Sequence, residues 1–433
     1  MIMERREFLK NTTLVSSAAL MVPTSLLGEN RNLGDTIPRI QQQRTILKIE
    51  KPLAIAMWDF SWILRHHKYG DFNDWDKALE GLAERGYNAI RIDAMPQFIA
   101  ADKEGKIIEE YRATKKDWIP ALWGNDYAMS FRPREALLEF LPKCKKYGIR
   151  VGLAAWFMPH GNKLDILNED GGLLRAWIET LDLLQKNNLL DKNIVYVDLL
   201  NEYPDCNGYD WMKVELNKRS DAKKFILNNP NAHLPQNFVA KENDNRLSIK
   251  FYNDYANNLI ATLKQKFPHL DYFTSFHTWS GLENLELTNY AALDFHVWFH
   301  HNPIIGKFID AAVNTGNIDR DIRVDYQNLI ACWKENKNTL VSWIDNSITS
   351  VARKAREYGI VCGNTEGWGP IGWYDHPDLS WEWVKESAEI CVDLAKKHNE
   401  YKFICTSNFT HPQFKGLWED INWHKKITEI IKS

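Results

Sequence analysis

The chain has 433 residues, of which 44% are hydrophobic and 26% charged, with a formal net charge of −3. These proportions suit a globular enzyme. With no basic tract beyond pairs such as Lys145-Lys146, they give no basis for nucleic acid or an anionic membrane as partner.

The N-terminus reads as an address. "MERREFLK" precedes the moderately apolar "NTTLVSSAALMVPTSLLG". A basic start followed by a short apolar run predicts an export signal over residues 1–30. Arg5-Arg6-x-Phe8-Leu9-Lys10 resembles the twin-arginine version, so a periplasmic or extracellular location is expected. The other reading is an amphipathic first helix. Residues 31–50 are a polar linker. No segment offers ~18 uninterrupted apolar residues, so no transmembrane span is expected. Cys144, Cys206, Cys332, Cys362, Cys391 and Cys405 show no metal-binding spacing, and several are expected as buried free thiols.

From residue 51 to 433 the chain keeps one rhythm of apolar run, loop and amphipathic helix. Strand-like runs fall at 52–60, 87–95, 148–157, 193–202, 271–278, 291–299, 359–367 and 401–409. Between them, segments such as "DWDKALEGLAERG", "REALLEFLPKCKKYG" and "LLRAWIETLDLLQKN" carry apolar residues at three- and four-residue spacing. "ITSVARKAREYG", starting at Ile348, reads the same way. The fifth helix, in "SGLENLELTN", is barely one or two turns. Eight alternating units predict a closed (β/α)8 TIM barrel, a single catalytic domain with long loops after its strands. Helix-to-strand joints are tight ("ERGYNAI", "KYGIRV"). The segments 96–132, 203–249 and 300–345 lack a strong period and read as the long functional loops.

The last residues of the strands line the mouth of such a barrel. They are Trp58, Asp59, Arg91, Asp93, Trp156, Asn201, Glu202, His277, His296, Trp298, Glu366 and Asn408. Glu202 closes the fourth strand and Glu366 the seventh. Cleaving a glycosidic bond needs a proton donor for the leaving oxygen and a base or nucleophile at the anomeric carbon. Trp58, Trp156, Trp279, Trp298, Trp368 and Trp373 lie at or just beyond strand ends, where an indole can pack on the C–H face of a sugar ring or cap the barrel core. The histidines, including His66, His67, His160, His277, His296, His300 and His301, raise a metal hydrolase as an alternative. No His-x-His ends the first strand and no HExxH occurs, so no metal and no cofactor is expected. His277 and His296 read instead as donors to sugar hydroxyls.

"LLNEYPD" (199–205), "NTEGWG" (364–369), "IRIDAMP" (90–96), "MPHG" (158–161) and "FHVWFHHNP" (295–303) together resemble the retaining glycoside hydrolase clan. The layout is similar to a cellulase-like member near glycoside hydrolase family 5. The resemblance implies Glu202 as acid/base and Glu366 as nucleophile, with the two carboxyl groups ~5–5.5 Å apart. It implies that Asn201 bonds the sugar hydroxyl beside the anomeric carbon, and that Arg91 lies near Glu366 and helps keep it ionised. It also places Trp298 where relatives carry a Tyr that bonds the nucleophile, and Asn408 and Phe409 where they carry a stacking Trp. The expected partner is a β-linked oligo- or polysaccharide. The alternative is a non-catalytic carbohydrate-binding protein on the same barrel.

Overall fold

The computed structural model describes residues 47–114, 127–205, 207–219, 242–277, 281–306, 322–370, 373, 375–377 and 379–433. The expected export signal, most of the linker, Cys206 and Trp279 lie outside the described residues.

Eight strand positions form one parallel sheet. They are β1 (Leu53–Asp59), β2 (Ala89–Asp93), β3 (Arg150–Ala154), β4 (Ile194–Asp198), β5, β6 (Ala292–His296), β7 (Val361–Asn364) and β8 (Tyr401–Cys405). β5 comes in two pieces, Tyr272–Phe273 and Phe276–His277. The first piece pairs with β4 and the second with β6. Elsewhere the order runs β4-β3-β2-β1-β8-β7-β6, with Leu53 opposite Phe403 and Ile55 opposite Ala89. Both ends of the sheet therefore meet within one strand, and the sheet closes on itself as the predicted (β/α)8 barrel. Runs such as "LAIAMWD" and "IVYVD" are buried throughout, as parallel strands sandwiched between helices and a filled interior must be.

The interior is filled by large rings facing glycines. Tyr196, Phe273 and Phe403 lie 4.8–6.0 Å apart between ring centroids. A Cβ on Gly152 would fall 2.2 Å from Tyr196 Cζ, and one on Gly363 would fall 2.1 Å from Phe403 Cδ2. Overpacking of this kind forces neighbours off their rotamers. Gly152→Ala and Gly363→Ala are each expected to lower unfolding free energy by ~1–3 kcal/mol in denaturant titrations.

The helices cover the outside. Asp74 caps Trp75–Glu84 by accepting from Lys77 N at 3.0 Å, and Asp420 caps Ile421–Lys432 from Trp423 N at 3.1 Å. Three features depart from the sequence reading. A 37-residue helix, Ile322–Tyr358, begins well before Ile348 and takes up part of the segment read as loop. Its buried residues Leu329, Cys332, Leu340, Ile344, Ile348, Val351 and Ala355 keep a helical stripe that the polar "KENKNT" interrupts. Within 96–132, Tyr111–Ala113 and Met129–Phe131 form a short antiparallel hairpin. Within 203–249, also read as loop, Asp210–Arg219 is a ten-residue helix, whereas the described element between β5 and β6 is as short as expected, a 3-10 turn at Leu282–Asn284. The five described cysteines are buried free thiols. No described helix is long and apolar enough to cross a membrane.

Candidate active site

β4 stops at Asp198, and residues 199–205 turn. Neighbours on a strand point to opposite faces, so Asn201 and Glu202 can share the mouth only once the strand has ended. Three hydrogen bonds fix that turn. Asn201 N donates to Ala155 O at 2.8 Å, Glu202 N to Ser275 Oγ at 3.0 Å, and Tyr203 N to Ser275 O at 2.8 Å. Glu202 itself sits in the left-handed region at φ 44°, which re-aims its side chain.

Glu366 is placed the same way, two residues beyond β7. Thr365 before it donates N to Asp294 Oδ1 at 3.1 Å and Oγ1 to Asp294 Oδ2 at 2.5 Å. Gly367 after it has φ 140°, and a Cβ there would meet Val297 O at 2.7 Å, so only glycine fits. Asn408 N donates to Gly367 O at 3.2 Å, tying the end of β8 to this bend.

Arg91 is the hub. Fully buried on β2, it donates Nη1 to both oxygens of Asp59 (2.9 and 3.0 Å) and to Glu366 Oε1. Its Nη2 donates to Asp198 Oδ2 at 3.1 Å and to Asn201 Oδ1. The second of these bonds orients the Asn201 amide, and Trp156 Nε1 completes the shell by donating to Asp59 Oδ2 at 2.8 Å. Glu202 and Glu366 meet over His296. Nδ1 of this buried ring lies 3.0 Å from Glu202 Oε1 and 3.8 Å from Glu366 Oε2, and Nε2 is 3.3 Å from Thr365 Oγ1. One oxygen of each glutamate and a ring nitrogen of His296 all lie within 4.8 Å of one another.

The charges do not balance. Asp59, Asp198, Asp294, Glu202 and Glu366 share the two cationic groups Arg91 and His296. Burying an excess of one sign favours taking up protons. Burial pushes Glu366 up to about 8, with Asp59 and Glu202 adding to it against the pull of His296 and Arg91. Burial also raises Asp59 and Asp198. Burial would lower His296, but Glu366, Asp294 and Glu202 outweigh it and hold the ring well above its usual range. Arg91 does pull Glu366 toward ionisation, as expected, but Asp59 and Asp198 share the same guanidinium and burial outweighs the pull.

A pH dependence follows. Folded Glu366 titrates near 8 against an ordinary 4.5, so its contribution to stability is complete below pH 4.5 and is lost as pH rises toward 8. Glu366→Gln has nothing to ionise. Its melting temperature is expected to gain on the parent's between about pH 5 and about pH 8, and parallel curves would exclude the buried proton.

Arg91, Asn201, Glu202, His296 and Glu366 thus converge as the strand-end reading required. His277 is buried near the charges of Glu202 and Asp205, with burial lowering its pKa. The tryptophans do not serve as open platforms. Trp58, Trp156, Trp298, Trp368 and Trp373 are at most 2% exposed. Three of these indoles are spent on internal bonds: Trp58 to Thr410 O (2.9 Å), Trp156 to Asp59, and Trp368 to Cys405 O (2.8 Å). Asp93 holds the backbones of Met95 and Trp156. Sequence reasoning missed Asp198, Asp294 and Ser275, although an aspartate inside an apolar strand run, as in "VYVDLL" and "ALDFHV", signals a buried partner.

A family model described as cellulase-like, sugar-binding, matches residues 55–432. A crystal structure of a candidate glycoside hydrolase from Parabacteroides distasonis ATCC 8503 is 29% identical, with 89% of this chain and 94% of that chain covered and a TM-score of 0.70. A Pyrococcus horikoshii endocellulase in complex with cellotetraose is 14% identical, covering 87% of this chain and 92% of that one at a TM-score of 0.43. No curated protein matches the chain. With a family match spanning nearly all of the barrel that carries this site, the chain belongs to the cellulase-like, sugar-binding family.

Proposed function

We propose that the protein is a glycoside hydrolase that cleaves a β-linked oligo- or polysaccharide with retention of configuration, with Glu202 as acid/base and Glu366 as nucleophile. The observation that carries the reading is that one oxygen of Glu202 and one of Glu366 lie within 4.8 Å, a contact that suits carboxyl groups ~5–5.5 Å apart as in a retaining pair better than the ~6.5–9.5 Å of an inverting one. Glu202, the more exposed of the two, passes its proton to the leaving oxygen while Glu366 attacks the anomeric carbon, and the glycosidic bond breaks as the glycosyl ester forms. Glu202 then takes a proton from water, which attacks the same carbon and releases Glu366. His296, with Nδ1 3.0 Å from Glu202 and 3.8 Å from Glu366, gives a proton a path from Glu366 to Glu202 before attack.

Screening β-linked aryl glycosides and oligosaccharides, with NMR of the first-formed anomer, tests the reading. Retention with a 2-fluoro sugar trapped on Glu366 is expected, and an inverted first product would sink it. Failure to cleave any substrate, with binding of oligosaccharides intact, would leave a sugar-binding protein. Glu202→Ala is expected to keep its first step on an aryl glycoside with a good leaving group, since little proton donation is needed there. The second step should slow by ~10²–10⁴-fold and recover with azide.

A further inference from the structure

The tryptophans assigned to substrate stacking are buried, yet the rim does expose aromatic rings elsewhere. The large hydrophobic residues exposed among those described are Tyr69, Ile107, Tyr127 and Val214. Tyr69 is 71% and Tyr127 46% exposed, and their rings meet edge to face at 5.9 Å. His67 stacks on Tyr127 at 4.8 Å, 24° from parallel. Single exposed rings need no explanation, but contiguous ones mark a binding surface. Tyr69 lies in the segment after β1, and Tyr127 in the segment after β2. These neighbouring strands bring Asp59 and Arg91 to the catalytic carboxylates. Both loops therefore rise from the functional rim.

The platform is built rather than incidental. Arg65 clamps the first loop through two bonds to Asp71 Oδ2, at 3.2 and 3.0 Å. Gly70 N donates to His67 O at 2.8 Å, and a Cβ on Gly70 would lie 1.8 Å from Arg65 O, so the turn that presents Tyr69 requires glycine. His66 stacks on Trp75 at 3.7 Å, and Phe72 packs edge-on against Trp58 at 4.9 Å. Tyr127 leads into the hairpin, whose Tyr111 and Phe131 are anchored on Phe98. A pre-ordered ring surface keeps the entropy cost of binding low. Each ring is flat, apolar and hydroxylated, which matches a pyranose with its C–H face down and its hydroxyls outward.

Building on the hydrolase reading, we propose that Tyr69 and Tyr127, backed by His67, form a distal sugar-binding platform that makes the enzyme selective for chains over short glycosides. Calorimetric titration of β-1,4-linked disaccharides and hexasaccharides into Glu366→Gln, with and without Tyr69→Ala or Tyr127→Ala, tests it. Hexasaccharide binding should weaken about three- to tenfold per ring removed while disaccharide binding stays level. Tyr69→Phe should bind as tightly as tyrosine, and unchanged melting temperatures would show that the loops are still folded. Equal affinity of parent and alanine variants for hexasaccharides overturns the platform, as does a chain-length-independent loss or no oligosaccharide binding at all. If the parent cleaves nothing but its hexasaccharide binding depends on both rings, the hydrolase reading fails and the platform stands. If it cleaves and the variants behave as the parent, only the platform fails.

Discussion

Glu366→Ala is expected to abolish turnover of activated aryl glycosides, with a loss on the order of 10⁴-fold or more, because Glu366 is the carboxylate proposed to form the glycosyl ester. The cavity left behind sits beside Arg91 and His296, two cationic groups that would hold a small anion. Azide should therefore restore part of the rate and yield a glycosyl azide of configuration opposite to the substrate. Steady-state kinetics with product analysis by NMR reads both effects. A residual rate within about tenfold of the parent would remove Glu366 from the role of nucleophile.

Arg91→Ala should show the largest loss of stability. The side chain donates to Asp59, Asp198, Glu366 and Asn201, and all five residues are almost completely buried. Removing one partner of a buried ion pair leaves a charge without compensation and costs ~3–5 kcal/mol, and here Asp59 and Asp198 lose it together while Glu366 loses a hydrogen-bond donor. Total stability is usually ~5–15 kcal/mol, so the variant should be marginal at neutral pH. The deficit should shrink as pH falls, because each orphaned carboxyl can then take a proton. Denaturant midpoints at two pH values measure it. A change below ~1 kcal/mol would mean that the acids around Arg91 are already neutral.

The eight strands were legible because each is a short, mostly apolar run, almost wholly buried and bounded by turn residues. The long helix Ile322–Tyr358 was not, because much of its stripe is spaced out by polar residues, and burial against the barrel decides its state rather than local pattern. The hairpin strands are three residues each, too short for a period to register. At the site, Glu202 and Glu366 could be found because strand ends have known positions in a barrel. The hub could not. That Asp59, Asp198 and Glu366 converge on one guanidinium depends on three strands separated in sequence by more than a hundred residues at their widest. The indoles at strand ends looked available for stacking, but Trp58, Trp156, Trp298, Trp368 and Trp373 are at most 2% exposed, and three of them donate to internal oxygens, which a sequence does not show.

The two-residue gap in β5 bears on how the enzyme comes to be active at all. Thr274 and Ser275 are where the strand changes partner from β4 to β6, and that leaves Ser275 to hold the turn at Asn201-Glu202-Tyr203 and to bond Asp198. Locking the barrel and setting the turn that carries Glu202, the proposed proton donor, thus depend on the same residue. A chain that had assembled everything else would carry Glu366 in place without a positioned Glu202. Amide exchange at Ser275 should accordingly track loss of turnover under mild denaturation, ahead of the strands on the far side of the ring.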